Sequence, residues 1–185
     1  MLAIKHKFTI LFLFVFTSFA SAAIAQSEQL NKLFDKLSRS HNTEIAKLIE
    51  QEIRAVWHKH PKNISLTDKL KLGTDLMYQG NYKYALKIFT NIIKTDPSWP
   101  EGWNKRATLL FFTKEYQKSL YDIEQVLALE PRHFGALSGR AQIFIELGEY
   151  QKAINDLNKV KKISPVISSN NIIPKLEKLI GGLNI

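Results

Sequence analysis

The 185-residue chain contains no cysteine. It therefore has no disulfide, no thiolate nucleophile, no thiolate metal site and no cysteine-linked lipid. With nothing to pair, the count is silent on redox compartment. Also missing are a glycine-rich phosphate loop, a G-x-S-x-G elbow and an H-E-x-x-H metal helix,. Histidine is sparse. His58 and His60 would project about 200° apart on a helix that turns about 100° per residue, so they cannot grip one metal together. His41, His58, His60 and His133 are read as surface residues, and Glu50 and Glu52 as solvated helix faces. Catalysis needs positioned acid, base or nucleophile groups, and no such set emerges. The expectation is a protein that is not an enzyme and uses no metal or cofactor.

Long apolar runs are confined to the start. Lys5 and Lys7 precede the uncharged "FTILFLFVF" of Phe8 to Phe16, and the small-residue stretch "TSFASAAIAQ" follows. A basic start, a short apolar run and an A-x-A end make a secretory signal. Cleavage fits after Ala22 or after Ala25. The run is short of the roughly 20 residues a spanning helix needs. The rival reading is an uncleaved anchor in the inner membrane. The expected compartment is the periplasm of a Gram-negative bacterium, with no stable span after cleavage.

Acidic residues are in deficit, 17 against 26 Lys and Arg, for a formal charge of +9. Removal of the signal takes Lys5 and Lys7 and no acid. A basic protein can meet nucleic acid, anionic lipid or acidic proteins. Export argues against nucleic acid, and the lysines are spread along the chain rather than gathered in a block. The charge reads as a solvated surface.

Prolines are few, and three of them keep time. Pro97, Pro131 and Pro165 stand 34 residues apart. Tyr82, Tyr116 and Tyr150 repeat in phase, as do Ala85, Ser119 and Ala153. Phe89, Ile123 and Leu157 form a third column, and Ile92, Val126 and Val160 a fourth. Gly73, Ala107 and Ala141 form a small-residue column where helices can approach closely, and Gly80 and Gly148 flank Lys114 at the turn. Each unit reads as two helices, the second carrying apolar positions four and seven residues beyond its small residue. The proline ends the unit.

These columns resemble the tetratricopeptide repeat (TPR) family, with its 34-residue helix–turn–helix units, Gly-x-Tyr turn, second-helix alanine and terminal proline. The resemblance covers about residues 66 to 165. The tryptophan expected early in the first helix appears only as Trp103, with Lys69 and Leu137 at the equivalent places. "EGWNKRATLLFF" and "LALEPRHFGALSG" resemble, more narrowly, the exported TPR proteins of alphaproteobacteria. The implied fold is all-α, a right-handed α-solenoid of three units with capping helices at both ends.

The division is 1–25 signal peptide, 26–64 N-terminal helix pair, 66–99, 100–133 and 134–167 the three units, and 168–185 a C-terminal capping helix. In the N-terminal pair, Leu30, Leu33, Phe34 and Leu37 follow helical spacing, and so do Ile45, Leu48, Ile49, Ile53, Val56 and Trp57. Asn42 or Thr43 caps the second of these helices. The pair lacks the repeat columns and is read as an N-terminal cap or a degenerate unit. At the other end, "SSNN" supplies capping residues and the last helix stops at Gly181-Gly182,.

One pairing is internal to the sequence. Arg106 and Arg140 stand where the first unit has Leu72, and Asp122 and Asp156 stand where it has Ile88. An ion pair between the two helices of a unit is expected twice, with an apolar contact in its place in the first unit.

The family resemblance implies that the first helix of each unit lines a concave groove. Carried over, the first unit offers Thr74, Met77 and Tyr78, the second Glu101, Asn104, Thr108, Phe111 and Phe112, and the third Ser138, Gln142, Ile145 and Glu146. Amides, hydroxyls and aromatics suit an extended peptide or a partner helix. One of Phe111 and Phe112 is expected to pack against its neighbours. Some relatives clamp acidic C-terminal tails with Lys, Asn and Arg. Here Asn104 and Lys105 are present, but Leu70, Thr74, Ser138 and Gln142 fill the other places, so that ligand is not expected. The functional expectation is a non-enzymatic adaptor, scaffold or assembly factor for another protein. The alternative is a structural module that self-associates.

Overall fold

The computed structural model describes residues 22–164 and 172–183. The signal's apolar run, Pro165 and the capping stretch 168–171 lie outside the described residues. The described residues form helices joined by short turns, without strands. The order is α1 (22–38), α2 (Thr43–His58), α3 (Ile64–Tyr78), α4 (Tyr82–Thr95), α5 (Pro100–Phe112), α6 (Tyr116–Leu129), α7 (Phe134–Glu146), α8 (Tyr150–Ile163) and α9 (Ile173–Leu183). The helix pairs α3–α4, α5–α6 and α7–α8 are the three repeats. Within each pair the helices pack antiparallel, and the first helices α3, α5 and α7 also adjoin in series, giving the α-solenoid one continuous inner face.

Each first helix ends the same way. Gly80, Lys114 and Gly148 take positive φ values of 80°, 60° and 73°. The next amide then reaches back to the carbonyl of Leu76, Leu110 or Phe144 at 2.8–2.9 Å, closing a Schellman motif,. Lys114 holds a left-handed conformation that glycine holds in the other two units. Lys114→Gly is therefore expected to stabilise the protein by about 1 kcal/mol, read as a higher urea midpoint at unchanged slope.

The small-residue column tracks what faces it. A Cβ on Gly73 would stand 2.6 Å from Cε1 of Phe89. In the next units the residues at the Phe89 position are the slimmer Ile123 and Leu157, and Ala107 and Ala141 share their cores. Glycine is required only opposite the ring. In the second column Ser119 is fully buried, and its hydroxyl donates to the Ala107 carbonyl at 2.8 Å, so the polar replacement of alanine is satisfied.

Both expected ion pairs form. Arg106 Nε and Nη2 donate to Asp122 at 2.7 and 2.8 Å, and Arg140 to Asp156 at 2.6 and 2.8 Å. The aspartates are buried. The expected apolar replacement in the first unit is different: Leu72 is 54% exposed, while Ile88 packs on the first core.

The N-terminal pair covers more than one end of the array. α2 runs along one edge of the solenoid, across the turns that join one repeat to the next. Glu50 stands beside Ser164 at the end of α8. Arg54 lies over the Phe134 ring at the start of α7. Trp57 stacks on His133 at 4.1 Å, and its carbonyl accepts from Trp99 Nε1. His60 then bonds Asp96 at the end of α4. Steps of three or four residues are one helical turn, so one face of α2 meets successive junctions. α1 folds back on this strap: Leu30, Leu33, Phe34 and Leu37 share a core with Ile49, Ile53, Trp57, Phe134, Leu137 and Val160. Asn42 caps α2, its side chain accepting from Glu44 and Ile45. The apolar stripe of α2 is wider than its buried face, and Ile45 and Leu48 are exposed.

At the C-terminus, α9 packs Leu176 against Ala141, Ala153 and Leu157. The helix does not stop at the glycine pair. It runs through the exposed Gly181 and Gly182 to Leu183, where no tertiary neighbour forces a break.

Candidate functional site

A cavity of about 300 Å³ opens on the inner face between α5 and α7. Asn104, Thr108, Phe111 and Phe112 line it from α5, and Ser138, Gly139 and Gln142 from α7. Ser119 and Ile123 of α6 close its floor, and Arg54 of α2 stands at one end. Six of the twelve sequence-expected groove residues thus meet in one place.

The other six do not. Met77 is 2% exposed and belongs to the first core beside Leu66 and Phe89. Thr74 is half-buried, its hydroxyl donating to the Leu70 carbonyl at 2.7 Å. Tyr78 is exposed on the first unit, away from the cavity. Ile145 packs on the third core and Glu146 is exposed at the end of α7. The repeat register sorts these residues by burial, and the place of the cavity between α5 and α7 does the rest. Met77, Phe111 and Ile145 occupy one column that turns toward the repeat's own second helix. Tyr78, Phe112 and Glu146, one residue on, occupy the exposed column. Phe111 accordingly packs on Tyr116 at 5.8 Å. Phe112 is 46% exposed, and it is the phenylalanine free to meet a ligand.

Glu101 is the largest departure. It is 1% exposed, in the first turn of α5, and takes no part in an open groove. Its Oε1 accepts from His133 Nε2 at 3.0 Å, its Oε2 accepts from Asn104 at 3.1 Å, and His58 lies 3.5 Å away. The Nδ1 of His133 accepts from the Ala136 amide. That fixes the tautomer with the proton on Nε2, aimed at Glu101. His60 repeats the device: Nδ1 accepts from the Lys62 and Asn63 amides while Nε2 faces Asp96 at 2.9 Å. His60 and His133 are therefore buried, not surface residues. His58 is half-buried, and His41 is exposed. Glu50 is half-buried as well, and burial pushes its carboxyl up against the pull of Arg54. The sequence signal for His133 and His60 was their place just before a helix start, where a ring nitrogen can serve as an N-cap acceptor.

Burial alone would raise the Glu101 carboxyl, but the His133 hydrogen bond and the charges of His133, His58 and Lys105 outweigh it and hold it at about 2, below the ordinary 4.5. Burial lowers His58, against the pull of Glu101. A carboxyl depressed by folding stabilises the protein above its unfolded value and stops doing so as pH falls through its folded value. The difference between 4.5 and about 2, at about 1.4 kcal/mol per pH unit, amounts to about 3 kcal/mol. Wild-type stability is expected to fall through that window. Glu101→Gln should be less stable at neutral pH and show a flatter acid limb. Parallel acid limbs in urea titrations from pH 5 to 2 would show that Glu101 does not carry the effect.

Other depressions lie away from this face. One of about 470 Å³ lies on the outer side, lined by Leu86, Thr90, Leu110, Tyr121 and the Arg106–Asp122 pair. One of about 650 Å³ lies between α1 and the end of α2, beside Gln29, Lys59 and Pro61. Neither contains an expected groove residue. Among the described residues no group of three or more His, Asp or Glu could hold a metal, and no helix is long and apolar enough to cross a membrane.

Comparison with known proteins agrees with this architecture. Residues 105–165 match the family model described as Tetratricopeptide repeat. A TPR repeat-containing protein of Rhizobium etli is 32% identical over 107 residues, which are 58% of this chain and 52% of that protein. The chain spans about half the length of that relative. Among solved structures, the first TPR of Spaghetti (RPAP3), bound to an HSP90 peptide, superposes with a TM-score of 0.59 at 22% identity, covering 63% of this chain and 93% of the other. The Sgt2 TPR domain from Aspergillus fumigatus gives 0.60 at 17%, covering 66% and 83%.

Proposed function

We propose that this chain, a tetratricopeptide-repeat α-solenoid, is a non-enzymatic binding module that holds a peptide segment of another protein on its inner face. The carrying observation is the convergence of Asn104, Thr108, Phe112, Ser138 and Gln142 on one cavity. A concave site with an aromatic anchor and a few placed polar groups is the usual form of a recognition pocket. The HSP90 peptide held by the RPAP3 repeat supports the reading. The basic start, short apolar run and small-residue stretch of residues 1–25 support export, so the partner belongs to the bacterial envelope and the role is that of an adaptor or assembly factor there.

A photoreactive residue in place of Phe112 is expected to crosslink a discrete partner in the envelope. Gly139 lines the same cavity and has nothing within 4 Å of its would-be Cβ, so Gly139→Trp fills the space without touching the core. It should abolish the Phe112 crosslink. Capture from Lys118 on the outer depression, with none from Phe112, overturns the reading.

A further inference from the structure

The repeats do not supply a cation to the inner cavity, but the strap does. Arg54 belongs to α2, outside the repeat columns, and its side chain reaches the cavity between α5 and α7. Three features place it there. Its guanidinium lies 4.6 Å above the Phe134 ring centroid, a stacking that suits arginine. Position 135 is glycine, and a Cβ there would stand in van der Waals contact with Arg54 Nη1 at 3.4 Å, so the guanidinium lies directly against the start of α7. Its intrachain acid, Glu50, is 4.0 Å away, at the limit of an ion pair, so most of its donors stay unspent.

Two acids lie close by, Glu50 at 4.0 Å from Arg54 and the buried Glu101, but neither lines the cavity. His58 and Lys105 lie close enough to act on each other and on Glu101. Glu101 is buried and already engaged by His133, Asn104 and His58, and it offers the cavity no open carboxylate. At the other end stands Phe112, apolar and exposed. The cavity therefore reads as a cation at the α2 end, hydroxyls and amides between, and an aromatic surface at the far end.

We infer that Arg54 is the specificity-determining residue of this cavity, and that the segment it takes is an acidic peptide whose Asp or Glu carboxylate meets Arg54 while a neighbouring apolar side chain rests on Phe112. This rests on the peptide-binding reading of the same cavity. A carboxylate is the natural complement of a half-exposed guanidinium with free forked donors. A charged contact of this kind sets which peptide is chosen more than how large a surface is covered.

The test uses the full mature chain and two fluorescein-labelled heptapeptide pools, blocked at both ends. Each pool carries one leucine or phenylalanine and one glutamate a few residues away, or the same sequences with glutamine. Anisotropy at low salt is expected to show the glutamate pool binding about tenfold tighter, with amide shifts at Phe112 and Ser138. Arg54→Gln should bring the two pools within about twofold of each other, and Arg54→Lys should keep part of the preference. A third pool with a free C-terminus and no acidic side chain separates a terminal carboxylate from a side-chain one; preference for that pool overturns the side-chain assignment. Equal binding of the glutamate and glutamine pools to the wild type, or an undiminished preference in Arg54→Gln, overturns the role of Arg54 while leaving peptide binding intact. Absence of any shift at Phe112 and Ser138 with every pool overturns both.

Discussion

Replacing Trp57 by alanine is expected to lower the unfolding free energy by about 3–5 kcal/mol. The indole is 5% exposed. It stacks on His133 and tilts against Phe34 and Phe134 at 5.8 and 5.0 Å. Truncation removes contacts to α1, to the start of α7 and to the buried Glu101–His133 pair together. α1 and α2 have no other core of their own, so the loss should appear as detachment of the strap as well as a smaller midpoint. The urea slope of the main transition then falls, because less surface remains to be exposed when the repeats unfold. Trp99 and Trp103 remain as fluorescence reporters. A loss below about 1 kcal/mol, well under the usual range for such truncations, with an unchanged slope, would mean that the strap is not part of the cooperative unit.

Asp122→Ala should cost a similar amount, about 3–5 kcal/mol, because it leaves Arg106 partly buried without its counter-ion. The Arg106 side chain is 19% exposed and that of Asp122 1%, and the pair makes two parallel hydrogen bonds. The remaining bond of Arg106 to Thr90, at 3.4 Å, is weak. Removing both charges should be far milder. The first unit already carries Leu72 and Ile88 at these positions, so Arg106→Leu with Asp122→Ile is expected to recover most of the loss. Asp156→Ala in the third unit, whose pair has the same geometry, serves as a parallel measurement. A double variant no more stable than Asp122→Ala would show that the cost lies in lost packing rather than in a stranded charge.

The repeats were legible because their signal is periodic. Prolines 34 residues apart and columns such as Phe89, Ile123 and Leu157 state the helix pairs and which face of each is buried. The same register could have separated the groove columns, since Met77 is buried at the place where Phe111 and Ile145 pack. The strap was not legible. Helical spacing of Ile49, Ile53 and Trp57 says that α2 buries a face, but not against what. Its partners lie far along the chain: Arg54 lies over Phe134, and Trp57 stacks on His133. Glu101 misled for a related reason. Its place in the register is a groove place, but His58 and His133 arrive from elsewhere in the chain and cover it. Arg54 was likewise invisible as a cavity residue, because it comes from outside the repeats.

The path of α2 has a consequence for how this array could grow or shrink. In an open solenoid each unit touches only its neighbours, so units can be gained or lost by duplication at modest cost. Here one 16-residue helix, about 24 Å long at 1.5 Å per residue, meets the first junction near Trp99, the second at His133 and the end of the third unit at Ser164. Removal of the third unit would leave Glu50 without Ser164, and removal of the first would leave Trp57 without Trp99. α2 therefore ties the three described repeats together along one edge, so that loss of any one of them would strand part of the strap.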